Sequence, residues 1–92
     1  MSSRNGLTRK RAWFKLEAPE AREVTLCGAF NSPQRTFYPL RRDKHGVWRV
    51  CLALEPGIYR YRFLVDGMWQ DDPKARVVSH FFDTQQCVRV IA

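Results

Sequence analysis

The chain has 92 residues, of which 45% are apolar and 27% charged, a composition typical of one globular domain. No apolar run approaches the roughly 18 residues of a membrane span, and the polar, basic N-terminus lacks a signal-peptide hydrophobic region. The sequence therefore excludes a membrane-spanning protein, and we expect a cytoplasmic one.

The net charge of +7 is concentrated at the N-terminus. Arg4, Arg9, Lys10 and Arg11 have no acidic neighbour, whereas the chain from Ala12 onward has 12 basic and 9 acidic side chains, a net charge of only +3. We predict a flexible basic tail over residues 1–11 and one folded domain over residues 12–92.

The three cysteines lie far apart, each inside an apolar, strand-like run: Cys27, Cys51 and Cys87. This spacing matches neither a disulfide framework nor a set of metal ligands. We expect reduced cysteines that pack as small apolar side chains, with no metal and no cofactor.

The first half of the folded part alternates apolar and polar residues, the period of two that is typical of strands. The pattern predicts a first strand over residues 11–17 and a second over residues 23–30. A loop rich in turn-forming residues, 31–39, includes Phe37 and Tyr38. A short third strand is predicted around Leu40.

The second half continues with a hairpin turn at residues 43–46 and a fourth strand over 47–54, with Trp48 facing inward. The next strand begins at Gly57, and its inward residues are predicted to be Tyr59, Tyr61, Phe63 and Val65. Asp66-Gly67 is a pair that tolerates positive φ in a hairpin turn, and the chain returns through Trp69.

Beyond Pro73 we predict an edge strand over residues 76–79, a loop over 80–86 and a closing strand over 87–91 with Val88 and Val90 inward. No stretch shows a sustained helical period. Short alternating strands separated by turn signals predict an all-β antiparallel β-sandwich.

Taken in order, these strands resemble those of carbohydrate-binding module family 48. The family includes the glycogen-binding domain of the AMP-activated protein kinase β subunit and the N-terminal early-set domains of isoamylases and glycogen-branching enzymes. The resemblance extends over residues 12–91 and rests on Phe14-x-Leu16-x-Ala18-Pro19, Val24-x-Leu26-x-Gly28-x-Phe30-Asn31, Gly46-Val47-Trp48-x-Val50, Leu54-x-Pro56-Gly57-x-Tyr59-x-Tyr61-x-Phe63-x-Val65-Asp66-Gly67-x-Trp69 and Asp72-Pro73. It implies an immunoglobulin-like (early-set) sandwich that binds α-1,4-glucans such as glycogen and has no catalytic centre.

The resemblance also implies which residues contact sugar. Trp69 matches a stacking platform, and Arg62 matches a basic residue that hydrogen-bonds glucose hydroxyls. Gln85 stands where the family commonly has a ligand-contacting Asn, and its amide both donates and accepts. Phe81 occupies the apolar position of the same loop, and Asn31 of the Phe-Asn motif is included in the predicted site.

Two departures from the family pattern bear on this site. A second stacking Trp usually follows Phe-Asn by two residues, but here that position is Pro33. The loop 79–83, Ser-His-Phe-Phe-Asp, is bulkier than the glycine-containing loop of bacterial members. Phe37 and Tyr38 are candidates to replace the missing ring, and Tyr38 is counted among the sugar contacts.

Three functions stay open from the sequence. The first is a non-catalytic α-glucan-binding module that targets or regulates a glycogen-metabolising partner. The second is a module of the same family that has lost sugar binding and forms a homodimer or binds a protein through Phe37, Tyr38, Phe81 and Phe82. The third, nucleic-acid binding through the basic tail and Arg41-Arg42, is disfavoured because no aromatic-basic motif accompanies the charge.

Catalysis is not expected from the ionisable residues. Asp71 and Asp72 are adjacent on an extended strand, so their side chains point apart rather than forming a two-carboxylate pair. His80 has no Ser or Cys partner in a recognisable motif. We therefore predict a binding protein and not an enzyme.

Overall fold

The structure is a computed structural model that describes residues 9–31, 34–79 and 85–92, and within these ranges the side chains of 76–79 and 85–86 are not described. The described residues contain no helix that is long and apolar enough to cross a membrane. They form nine strands: β1 Lys10–Glu17, β2 Val24–Gly28, β3 Thr36–Pro39, β4 Arg41–Arg42, β5 Val47–Leu54, β6 Gly57–Val65, β7 Met68–Gln70, β8 Arg76–Ser79 and β9 Gln85–Ile91.

The strands form two sheets in which every neighbouring pair is antiparallel. The smaller sheet has the order β1-β5-β4. The larger sheet has the order β3-β2-β6-β9-β8, and β7 also pairs with β6. The predicted all-β, immunoglobulin-like sandwich is confirmed.

Aromatic rings join the two sheets at the centre of the core. Phe14 of β1 is fully buried, and its ring lies edge-on to Phe30 at 5.2 Å and to Tyr61 of β6 at 5.0 Å between ring centres. Tyr61 in turn contacts Phe63 at 5.8 Å. The inward face predicted for β6 is therefore correct, because its alternating aromatics fill the space between the sheets.

The hairpin turn between β6 and β7 is held by its own first residue. Asp66 and Gly67 have positive φ angles of 49° and 85°, as a two-residue turn of this kind requires. The Asp66 carboxylate accepts hydrogen bonds from the backbone N–H of Arg22 at 2.9 Å and of Glu23 at 2.8 Å, just before β2. These hydrogen bonds connect the turn that leads to Trp69 to the start of strand β2.

Asp72 is the one buried charged residue among the described side chains, with 8% of its surface exposed. Tyr61 donates a hydrogen bond to its Oδ2 at 2.7 Å, the Lys74 N–H donates to Oδ1 at 3.0 Å, and the Asp72 N–H donates to Cys87 Sγ at 3.1 Å. Because the carboxylate is hydrogen-bonded within the fold, its role is structural. Burial and the bond to Asp72 raise the pKa of Tyr61.

The structure differs from the predicted strand bounds at four places. Phe37 and Tyr38 lie in strand β3 and not in a loop, and Leu40 falls between β3 and β4. The first strand begins at Lys10, inside the predicted tail, whose residues 1–8 lie outside the described part of the chain. The closing strand begins at Gln85 rather than at residue 87.

The inward face of the closing strand is also inverted relative to the prediction. Cys87 and Ile91 are buried, whereas Val90 is 64% exposed. The register explains the difference, because Cys87 pairs with the inward-facing Tyr61 and therefore shares its face, while Val90 pairs with the outward-facing Ile58.

Candidate functional site

The candidate site lies on the outer face of the larger sheet, where strand register brings distant residues into line. Phe37 of β3 pairs with Cys27 of β2, and Cys27 pairs with Arg62 of β6. In the next outward-facing row, Leu64 of β6 pairs with Trp69 of β7. Paired residues share a face, so these side chains all project from one surface.

Two exposed aromatic rings face each other across this surface. The Phe37 and Trp69 ring centres are 6.5 Å apart, with an angle of 31° between the ring planes. Phe37 is 56% exposed and Trp69 47% exposed, so both rings present much of their area to solvent. Two exposed rings this close together on a surface form an apolar platform for a flat ligand.

Arg62 lies beside this platform and is held in place on two sides. Its guanidinium carbon is 5.9 Å from the centre of the Trp69 ring, within the range of a cation–π contact. Its Nε donates a hydrogen bond to Asp71 Oδ1 at 3.0 Å. Asp71 bonds to Nε, and the guanidinium carries further N–H donors on its two Nη atoms.

A groove of about 340 Å³ adjoins the platform. Its lining combines polar and apolar groups from β2, β6, β7 and the residues before β3: Cys27, Gly28, Ala29, Arg35, Arg60, Tyr61, Arg62 and Trp69. Gly28 is required here, because an added Cβ would lie 2.6 Å from the Phe30 ring and 2.8 Å from the Arg60 carbonyl oxygen. A larger residue would displace the strand that forms the floor of the groove.

Cys27 lies in the lining of this groove and is nevertheless buried. Burial raises the pKa of its thiol, and the nearby charge of Arg35 lowers it by a smaller amount. The thiol is therefore protonated at neutral pH and supplies an apolar contact rather than a nucleophile. All three cysteines are free.

Of the six residues predicted to contact sugar, the described part of the chain brings two together and turns a third toward the core. Trp69 and Arg62 lie together in the groove. Tyr38 has the opposite orientation to Phe37 on β3, with its ring 5.6 Å from Phe30 at the core, so Phe37 and not Tyr38 is the second ring beside Trp69. Alternation along the strand is the physical reason.

The structure describes the remaining three predicted contacts to different extents. Asn31 is exposed and follows the groove residue Ala29 by two positions. Gln85 belongs to β9 rather than to a loop, and its side chain is not described. Phe81 lies outside the described residues. Their part in sugar binding stays a prediction.

The predicted sugar contacts leave out the two other arginines of the groove, Arg35 and Arg60. Arg60 could have been found, because it is two positions from Arg62 on a strand and so shares its face. No local pattern pointed to Arg35, which lies just before β3 and reaches the groove only because β3 pairs with β2.

The two other tryptophans do not contribute to this surface. Trp48 is buried, and its indole N–H donates to the Ala18 carbonyl oxygen at 2.8 Å, as expected for a packing role. Trp13 is exposed on the smaller sheet, where the Arg49 guanidinium lies 5.7 Å from its ring centre. Trp69 is thus the tryptophan available to a ligand in the groove.

Comparison with curated proteins finds relatives that share part of the chain. It is 39% identical over 62 residues to the chloroplastic protein FLOURY ENDOSPERM 6 of Oryza sativa subsp. japonica, a match covering 65% of this chain and 11% of the relative. It is 41% identical over 58 residues to the 5'-AMP-activated protein kinase subunit beta-1 of Sus scrofa, covering 63% of this chain and 45% of that protein. The chain thus spans less than half the length of either relative.

Among solved structures, the fold is similar to part of the pullulanase from Anoxybacillus sp. LM18-11. The TM-score is 0.66 at 25% sequence identity, over 90% of this chain and 13% of the pullulanase chain. A family model described as the glycogen recognition site of AMP-activated protein kinase matches residues 12–90, nearly the whole folded part. The chain therefore belongs to the family of glycogen recognition sites of AMP-activated protein kinase.

Proposed function

We propose that the chain is a non-catalytic module that binds α-glucans of the glycogen and starch type through the groove beside Trp69. The observation that supports this most strongly is the pairing of two exposed rings, Phe37 and Trp69, at 6.5 Å on the outer face of the larger sheet. Family membership supports the same ligand class.

The chemistry of the groove suits a neutral sugar chain. A glucose ring presents an apolar C–H face, which stacks on an aromatic ring, and pairs of hydroxyls, which accept from a planar guanidinium. Trp69 and Phe37 supply the rings, and the Nη groups of Arg62 supply the donors. Phe37 takes the place of the stacking tryptophan that is absent at Pro33.

We expect the affinity to be modest. Aromatic contacts of this kind contribute on the order of 1 kcal/mol each beyond the burial of area. Removing one platform should therefore weaken binding by about tenfold. Such a module suits a targeting role, in which it brings a partner that acts on glycogen or starch to the polymer. We also propose that the protein is cytoplasmic.

Catalysis by the Asp71-Asp72 pair has no support from the geometry. Asp71 is hydrogen-bonded to Arg62 at 3.0 Å, and Asp72 is buried with its carboxylate bonded to Tyr61 at 2.7 Å. Each carboxylate already has a structural partner. We therefore propose that the chain binds a glucan and does not catalyse a reaction.

The test is native gel electrophoresis in gels with and without glycogen. The proposal predicts that glycogen retards the protein relative to an unrelated marker of similar charge, and that free maltoheptaose relieves the retardation. Equal mobility in both gels would contradict the proposal.

A second candidate function is self-association through the same sheet. Ile58 of β6 and Val90 of β9 form a cross-strand pair on the outer face, and they are 71% and 64% exposed. Of the residues first expected to form an apolar patch, Tyr38 packs on the core and Phe81 and Phe82 lie outside the described residues. A sedimentation coefficient that rises with concentration, and stops rising in Ile58→Glu, would support a homodimer; a constant coefficient would oppose it.

A further inference from the structure

The groove beside Trp69 is lined by three arginines, which is more positive charge than a neutral sugar requires. Arg35, Arg60 and Arg62 all border it, and none of the described lining residues is acidic. A neutral glucan gains hydrogen bonds from one guanidinium, but it gains nothing from an accumulated field. The excess charge points to an anionic group on the ligand.

The three arginines differ in whether an acidic side chain already neutralises their positive charge. Arg62 is paired with Asp71 at 3.0 Å. Arg35 and Arg60 have no acidic partner within 4 Å among the described residues, although both line the groove. Arg35 and Arg60 thus stand at the edge of one groove without a counter-ion from the part of the chain that the structure describes, which favours binding of an anion there.

Strand geometry keeps these charges close to the platform. Arg60 and Arg62 are two positions apart on β6 and project from the same face. Arg35 lies near enough to Cys27, on the groove floor, to influence its thiol electrostatically. An anion bound between Arg35 and Arg60 would lie next to a sugar ring stacked on Trp69.

We propose that the groove prefers α-glucan that bears a phosphate monoester, with Arg35 and Arg60 binding the phosphate while Trp69 stacks a glucose ring. This inference rests on the proposed glucan-binding function and specifies its ligand. A planar guanidinium matches two phosphate oxygens at once, and such charge-assisted bonds are about twice as strong as neutral ones.

The experiment measures the affinity of the full chain by isothermal titration calorimetry for maltoheptaose and for maltoheptaose with a 6-phosphate on one glucose. We expect the phosphorylated form to bind about tenfold more tightly, the effect of one or two charge-assisted hydrogen bonds. The preference should shrink as salt rises from about 0.1 M to about 1 M, where the Debye length falls from about 10 Å to about 3 Å.

Arg35→Gln and Arg60→Gln should each reduce the preference for the phosphorylated form severalfold. Arg41→Gln, on β4 of the other sheet, is the matched control and should keep the full preference. If Arg35→Gln and Arg60→Gln both kept the full preference for phosphorylated maltoheptaose, these arginines would not be the phosphate-binding residues.

The outcomes separate this inference from the function on which it rests. Equal affinity for the two maltoheptaoses would overturn the phosphate preference and leave glucan binding intact. No binding of either would overturn glucan binding itself, and this inference with it. A further outcome is that inorganic phosphate alone competes for the groove as well as the phosphorylated maltoheptaose does. That result would show a simple anion site and would overturn the role of the glucan.

Discussion

The Arg62 guanidinium lies 5.9 Å from the centre of the Trp69 ring while its Nε is hydrogen-bonded to Asp71. The arginine is thereby held between a carboxylate and an aromatic face. This arrangement sets the planar donor beside the stacking ring before any ligand arrives, which limits the side-chain entropy lost on binding.

Arg62→Lys should test the need for that planar donor. Lysine keeps the charge but lacks the forked geometry, so we expect maltoheptaose affinity to fall by about fivefold. The free energy of unfolding should change by less than about 1 kcal/mol, because the ion pair with Asp71 is partly exposed. Calorimetric titration measures the first and urea unfolding the second, with Arg41→Lys as control. Unchanged affinity in Arg62→Lys would remove this residue from the site.

Phe37→Ala and Tyr38→Ala should separate the two adjacent aromatics of β3. Phe37 is exposed, so its loss should weaken glucan binding by about tenfold while changing stability by about 0.5 kcal/mol or less. Tyr38 packs on Phe30, so its loss should cost about 2 kcal/mol of stability. The reverse pattern in calorimetry and urea unfolding would show that Tyr38 is the second platform.

Asp66→Ala should weaken the hairpin that presents Trp69. The change removes the acceptor for two backbone N–H groups and places alanine at a φ of 49°, so we expect a loss of about 2 kcal/mol in the free energy of unfolding. Asp66→Asn is the matched control, because asparagine tolerates this conformation and keeps an acceptor oxygen. A stability of Asp66→Ala equal to that of the unaltered chain would contradict the account.

Tyr61 should ionise only above the ordinary pKa of a tyrosine side chain. Burial and the hydrogen bond to Asp72 raise its pKa above the ordinary value of 10.0, so the neutral form is favoured in the folded state. The resulting stabilisation is complete below about pH 10 and is lost as pH rises above that value. Alkaline titration of tyrosinate absorbance should show a late step that coincides with unfolding, and Tyr61→Phe should abolish it. Ionisation of Tyr61 at its ordinary pKa of 10.0 in the folded protein would show that Tyr61 is not buried as described.

Local alternation in the sequence was enough to predict most of the sheet structure. The β6 pattern of Tyr59, Tyr61, Phe63 and Val65 identified the inward face, and the Asp66-Gly67 pair identified the turn. Strand β3 has only four residues amid turn formers, so its period of two was too short to recognise. The face of β9 depends on its pairing with β6, which hydrophobicity alone does not reveal, and Val90 was assigned to the wrong side for that reason.

The site was less predictable than the fold because it is assembled across four strands. Trp69 and Arg62 belong to one hairpin and could be found together. Phe37 reaches Trp69, and Arg35 reaches the groove, only through the pairing of β3 with β2. The sequence shows these two segments merely as a loop and a strand. Phe37 and Tyr38 lie on strand β3, which the sequence does not predict. Which of the two rings faces Trp69 therefore could not be decided from the sequence.

The most direct measurement of glucan binding compares Trp69→Ala with Trp13→Ala in native gels containing glycogen. The two tryptophans are equally exposed at 47% and each has an arginine beside its ring, but they lie on opposite sheets. The account predicts that Trp69→Ala loses most of the retardation, about tenfold in apparent affinity, while Trp13→Ala keeps it. Equal retardation of both variants and of the unaltered chain would contradict the claim that the groove beside Trp69 binds the glucan.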